Sequence, residues 1–344
     1  MQDLLKKKVI KIDSCKGGNG DIWMRLVSFY SAAALLPNYS LCIIVPQIFK
    51  PLSDFAFGDR LTILTDIIHS KDIFSYTNLG LKDLIFPILK GKKFISPYQR
   101  AVILDKKKKE VKDIINILLF KIADYSNRVL VPDKKWIPFY QGYLDIVSIK
   151  EIKSISYSDF EKQLKFDAAP LYEKLNSKIP ISPELNVPSD LCYSTLVFPT
   201  GTSRQFIPLW WASKNLPNAY FAFYFKDDEA KDFVKAGLKV IYFYKEPGDI
   251  IYLSQNAKWT ISTDSFPSHL LQYSNLRTTI LLTEVLKTRI VSPTFDGIII
   301  DSVAPCHPCL HKAKKIHPLC DAGLKECLNW ESLIYTQNIL QSIK

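Results

Sequence analysis

The chain has 344 residues, of which 47% are hydrophobic, enough to fill two cores and to exclude wholesale disorder. Its net charge of +11 favours an acidic partner such as a nucleotide, a phosphorylated glycan, an anionic membrane surface or nucleic acid. No apolar stretch approaches the ~20 residues of a spanning helix and no apolar signal region follows the first lysines, so the reading is a soluble, cytoplasmic protein with at most peripheral contact with an anionic membrane.

In chain order, Val9–Ile12 reads as a short strand, followed by the turn Lys16-Gly17-Gly18-Asn19-Gly20-Asp21. A helix follows, with apolar residues at Ile22, Leu26, Phe29, Ala33 and Leu36 in helical spacing. Gly18 and Gly20 allow positive φ or a close backbone approach, and Asp21 is placed as a cap or first-turn residue. No Gly-Lys-Ser/Thr follows, so the turn is not a Walker loop. Further strands are expected at Ser40–Val45, Leu61–Leu64 and Ala101–Leu104, and a helix over Glu110–Tyr125. The lysine runs 6–8 and 106–109 read as solvated faces. Alternating apolar strands and helices indicate a parallel sheet covered on both faces.

Pro180, Pro183 and Pro188 mark a linker over 176–190, dividing a domain 1–175 from a second domain 191–330, with a terminal helix at 331–344. The second half repeats the plan. A strand at Leu191–Phe198 leads into the polar turn Thr200-Gly201-Thr202-Ser203-Arg204, and Arg204 offers a planar fork suited to phosphate. A helix start at Pro208–Asn215 and strands at Ala219–Phe225, Lys239–Tyr244 and Trp259–Ser262 follow. After the last strand comes Asp264-Ser265-Phe266-Pro267-Ser268-His269, where hydroxyls and a helix start could meet phosphate, His269 could donate to an anionic oxygen and Asp264 could accept from a sugar hydroxyl. Structural alternatives are a capped helix with a packed histidine and a solvated loop arginine. In open α/β sheets ligands lie beyond the carboxyl ends of the strands, which gathers both turns on the ligand side.

Four of the seven cysteines, Cys306, Cys309, Cys320 and Cys327, form a Cys-x-x-Cys knuckle with two later thiols. Four thiolates suit a closed, structural tetrahedral site for zinc, with iron as the alternative metal. Cys15, Cys42 and Cys192 read as reduced structural residues.

Taken together, these motifs resemble the ADP-heptose lipopolysaccharide heptosyltransferases of glycosyltransferase family 9, including their autotransporter-modifying relatives. The likeness rests on Gly18-Asn19-Gly20-Asp21, where the family has Gly-x-Gly-Asp; on Asp264-Ser265 with Ser268-His269, where it has Asp-Thr-Gly-x-Ser-His; and on the cysteine knuckle. The resemblance implies a GT-B fold, two Rossmann-like domains facing across a cleft with the C-terminal helix returning to the first. It implies inverting transfer from a nucleoside-diphosphate sugar, ADP-heptose first among donors, to a glycan or protein hydroxyl; nucleic acid is not implied, and no catalytic metal is expected. Asp21 would be the general base, with Gly18, Gly20, Thr200, Thr202, Ser203, Arg204, Asp264, Ser265, Ser268 and His269 on the donor. Two departures stand out. The family's lysine before a Trp-Pro pair is absent from Arg204-Gln205-Phe206-Ile207-Pro208, and Phe266 replaces the glycine of the second motif.

Overall fold

The computed structural model describes residues 7–15, 18–34, 36–65, 73–76, 94–95, 129–130, 169–200, 207–282, 287–292, 294–302 and 330–344. The chain divides into two compact units, Met1–Asp167 and Ala168–Lys344. The strand expected at 101–104 and the helix expected over 110–125 lie outside the described residues.

In the first unit, β1 (Lys8–Asp13) leads into helix α1 (Asn19–Ala33). Then come β2 (Tyr39–Ile44), α2 (Lys50–Phe57), β3 (Leu61–Leu64), β4 (Ile73–Tyr76), β5 (Phe94–Ile95) and β6 (Val129–Leu130). The strands form one sheet in the order β3-β2-β1-β4-β5-β6, and every pairing is parallel. This is the doubly wound order in which the connections reverse direction between the first and fourth strands. Helix α1 buries more than the single stripe its spacing suggested. Trp23, Met24, Val27 and Tyr30 are enclosed as well as Ile22, Leu26 and Phe29. The second buried face is explained by α2, whose Phe57 meets the rings of Trp23 and Tyr30 at 5.1 and 5.5 Å.

The second unit opens with α3 (Ala169–Leu175) and the proline-rich stretch 176–190. Beyond a single 3₁₀ turn at Leu191–Tyr193 come β7 (Thr195–Phe198), α4 (Leu209–Asn215), β8 (Tyr220–Tyr224) and α5 (Glu229–Lys235). These are followed by β9 (Lys239–Phe243), α6 (Pro247–Gln255), β10 (Trp259–Thr263) and α7 (Phe266–Leu271). The unit ends with β11 (Thr278–Leu281), α8 (Lys287–Ile290), β12 (Ile298–Ile300) and α9 (Leu333–Ser342). The sheet order β12-β11-β10-β7-β8-β9, again parallel throughout, repeats the plan of the first unit.

Successive strand residues point to opposite faces. Accordingly Val197, Ile261 and Leu281 join a core with Trp211 of α4, Phe233 of α5 and Tyr335 and Ile339 of α9. Ile280 and Leu282 pack on the other side with Ile290, Val291 and Phe295. The terminal helix contributes to the second unit's core: Trp211 Nε1 donates to Thr336 Oγ1 at 2.9 Å, and Thr279 Oγ1 to Ser342 Oγ at 2.8 Å.

The stretch read as a linker is fastened to α6. Asp249 is fully buried and accepts from the Ser182 and Tyr244 amides at 2.7 and 2.8 Å. A Cβ on Gly248 would lie 1.8 Å from the Pro180 carbonyl oxygen, a backbone atom that cannot turn aside. Gly248→Ala is therefore expected to destabilise the chain by at least the ~1–3 kcal/mol typical of overpacking, read from chemical denaturation.

Glu246, the N-cap of α6, has its carboxyl pushed up by burial and secondarily by the charge of Asp249. A raised folded-state pKa makes the group's contribution favourable at acid pH and loses it as pH rises through the raised value. Glu246→Gln is expected to raise Tm at about pH 8 and to bring no gain near pH 4.

Candidate functional site

The residues nominated from the sequence follow one of the two strands at which the winding reverses in the first unit, and both of them in the second. In the first unit β1 is such a strand, and α1 starts directly beyond it. The helix begins at Asn19 with Gly18 as N-cap. Asp21, in the first turn and half-buried, reaches back to accept the Gly18 amide on Oδ2 at 2.9 Å. This closes one of the amides that a helix start leaves open. Gly18 has φ −73° and ψ 165°, extended backbone open to any residue, and a Cβ there would stand 3.5 Å from Asp21 Oδ2. Positive φ, one of the sequence-based grounds for a glycine, is therefore not used at Gly18. Gly20 is buried within the first turn. Among the described residues the positive-φ glycine is Gly237, at 77° beyond the end of α5.

Below this turn lies a residue the sequence reading passed over. Arg25, 4% exposed, donates from Nε to Ser14 Oγ at 2.8 Å and from Nη2 to the Ser14 carbonyl at 2.9 Å. Ser14 itself donates its amide to the Ile44 carbonyl at 2.9 Å, and the Cys15 amide donates to Asp13 Oδ1 at 3.0 Å. The available signal was a lone charge inside the apolar run Ile22-Trp23-Met24-Arg25-Leu26-Val27. A charge so enclosed is held by partners.

In the second unit the reversal lies between β7 and β10. Thr200 follows β7 and is half-buried; Thr202, Ser203 and Arg204 lie outside the described residues. Beyond β10 the Asp264 amide extends the ladder by donating to the Leu281 carbonyl at 3.0 Å. Asp264 and His269 are brought together, with Oδ1 and Nε2 3.9 Å apart and both side chains enclosed, an ion pair only if the imidazole is protonated. The two serines serve the backbone. Ser265 Oγ donates to the Thr263 carbonyl at 3.2 Å, and Ser268 Oγ donates to the Ser265 carbonyl at 2.8 Å while accepting the Ser265 amide at 3.3 Å. They fix the shape of the turn, which carries Asp264 and leads into α7 with His269.

All strands of this sheet run the same way, so the ends of β8 and β9 open on the same edge as Thr200 and Asp264. There Phe225 and Tyr244 stack with centroids 5.3 Å apart, Phe225 is 38% exposed, and Lys226 Nζ lies 5.3 Å from the Phe225 centroid. The four cysteines of the knuckle lie outside the described residues, and among the described residues no cluster of His, Cys, Asp or Glu could hold a metal. No helix among the described residues is long and apolar enough to cross a membrane.

No protein-family model matches the sequence, and no curated protein sequence does. Solved structures do match. The structure of Escherichia coli ADP-heptose lipopolysaccharide heptosyltransferase II aligns over 98% of this chain and 97% of its own, with TM-score 0.55 and 10% identity. E. coli heptosyltransferase WaaC, with ADP, aligns over 86% and 93%, with TM-score 0.53 and 12% identity. The glycosyl transferase family 9 structure from Veillonella parvula aligns over 98% and 97%, with TM-score 0.50 and 9% identity. At these identities the likeness is one of fold: the chain is an α/β protein of two parallel sheets, similar in fold to ADP-heptose heptosyltransferases.

Proposed function

We propose that this chain is a glycosyltransferase of GT-B type that moves a sugar from a nucleoside-diphosphate donor to a hydroxyl acceptor, with Asp21 as general base. The observation that carries the reading is the paired placement of the nominated residues. Asp21 follows a reversal strand of the first sheet, and Thr200 and Asp264–His269 follow the two reversal strands of the second. Such crevices are where open α/β sheets take ligands.

Asp21 takes the proton of the acceptor hydroxyl as its oxygen attacks the anomeric carbon. The bond to the diphosphate breaks on the opposite face, and the nucleoside diphosphate leaves with the electron pair. One displacement inverts the configuration. His269 meets the departing charge, joined by Thr200 and by Thr202, Ser203 and Arg204 from the same turn. Asp264 accepts from a sugar hydroxyl, and Ser265 and Ser268 hold the turn that carries Asp264 and leads into α7 with His269. The Phe225–Tyr244 stack offers a face for the base. Catalysis is then positioning and stabilisation of charge where it develops. The ligands of the fold neighbours, ADP and an ADP-2-deoxy-2-fluoro heptose, support ADP-heptose as the first donor to test. A lipopolysaccharide-type glycan is the first acceptor and a protein the second, met in the cytoplasm or at the inner membrane face.

The test is a donor panel of ADP-heptose, UDP-sugars and GDP-sugars with glycan and protein acceptors. Acceptor-dependent release of nucleoside diphosphate supports the transferase, and tight nucleotide binding without turnover on any pair would make the chain a binding protein. For Cys306, Cys309, Cys320 and Cys327 the proposal is one structural zinc or iron per chain. Elemental analysis should find the metal in wild type and not in Cys306→Ser, and a metal-free folded wild type would contradict it.

A further inference from the structure

We infer that Arg25 is a positioning residue that sets the place of Asp21 by holding the strand exit from which the Asp21 turn departs. The inference rests on the assignment of Asp21 as base. Helix α1 grips the segment between β1 and itself at both ends. At the near end, the Asp21 carboxylate takes the Gly18 amide. At the far end, one turn further along the helix, the Arg25 guanidinium takes both oxygens of Ser14.

Ser14 is thereby held on three sides, since its amide is already committed to the Ile44 carbonyl of β2. Cys15 adds a weak Sγ contact to the same carbonyl at 3.7 Å. The consequence is mechanical. The last rung of the sheet and the first turn of the helix cannot shift relative to one another while the guanidinium stays in place. A planar fork can span a hydroxyl and a carbonyl of one residue, whereas an ammonium is a point charge that cannot reproduce both directions. The arginine is 4% exposed, so its part is that of a buried, hydrogen-bonded group and not of a surface charge. Its value to the reaction is the ångström-scale position of a carboxylate, and a misplacement of about 1 Å can cost about 10²-fold in rate.

The test combines a double-mutant cycle with hydrogen exchange on the full chain. Arg25→Met is expected to lower kcat about 10²-fold with donor KM within about twofold, and Arg25→Lys to recover part of the loss. On an Asp21→Asn background the same Arg25→Met change is expected to cost less than about twofold, because there is no base left to misplace. Equal losses on both backgrounds would show a general structural role and overturn the inference. Ser14→Ala, which keeps the carbonyl contact and spares the fold if Arg25→Met does not, should lose about three- to tenfold in kcat, and an unchanged kcat would count against the grip. Independently of turnover, exchange in peptides covering 14–24 should quicken at least about tenfold in Arg25→Met, or in Ser14→Ala should that variant fail to fold, while those covering 39–64 stay as in wild type. Unchanged exchange overturns the inference even if no donor is turned over, whereas absent wild-type turnover with quickened exchange sinks the base assignment and leaves the grip standing.

Discussion

Asp21→Asn should abolish most of the turnover and leave donor binding intact. A positioned general base contributes about 10²–10⁴-fold, and the amide cannot take up the proton at any working pH. The substitution is close to isosteric, and Oδ1 of the asparagine can still accept the Gly18 amide that Asp21 Oδ2 accepts at 2.9 Å. The helix start is thus preserved, and a loss cannot be laid to fraying of α1. Donor KM should stay within about twofold, because the donor is assigned to other residues and the backbone at Gly18 and Gly20 is unchanged by the substitution. A kcat drop without a KM change is the signature of a group acting only in the transition state. Initial rates across donor concentration check it. A variant with wild-type kcat would remove Asp21 from the chemistry.

His269→Gln and Asp264→Asn should show the complementary pattern. Asp264 sits on the turn beyond β10 and His269 on α7, which follows it; both are enclosed and 3.9 Å apart. If His269 meets the departing diphosphate, its loss weakens nucleotide binding in the ground state and raises the barrier as charge develops. Removing one donor to a developing anion costs about 10²–10³-fold, so kcat/KM for the donor should fall by about that factor. Affinity for the free nucleoside diphosphate, measured by calorimetry, should fall with it. Asp264→Asn keeps a hydrogen-bonding oxygen and should lose less, chiefly through KM for the intact sugar nucleotide. Melting curves run alongside show whether the enclosed pair also supports the fold. Unchanged nucleotide affinity in His269→Gln would place the diphosphate elsewhere.

Much of the frame was legible because apolar strands alternating with helices announce parallel, doubly covered sheets. β1, β3, β8, β9 and β10 lie within a residue or two of their expected bounds. β7 begins later than its apolar run suggested, since Leu191–Tyr193 closes a 3₁₀ turn before the strand starts. Hydrophobicity fixed that Leu191 is buried, but not that its backbone is still turning. β11 and β12 were not anticipated. Thr278 and Thr279 are fully buried threonines, so polarity hid a central strand.

At the candidate site, residues with overt chemistry were legible and the ones that hold them were not. Asp21, Asp264 and His269 announce themselves by type and by the turn they follow. Arg25 did not, because a single arginine in an amphipathic helix reads as surface until its partner at Ser14 is known. For Ser265 and Ser268, placed on the donor by resemblance, the structure adds what the sequence does not give, hydroxyls bonded to the Thr263 and Ser265 carbonyls of their own turn. Short polar side chains at helix starts do both, and only geometry separates the roles.

The most direct measurement is the anomeric configuration of the transferred sugar, read by NMR on product made from a donor of known configuration. A single displacement with Asp21 deprotonating the acceptor gives the inverted anomer. A retained anomer would require two displacements or a front-face path and would contradict the assignment of Asp21 as the base.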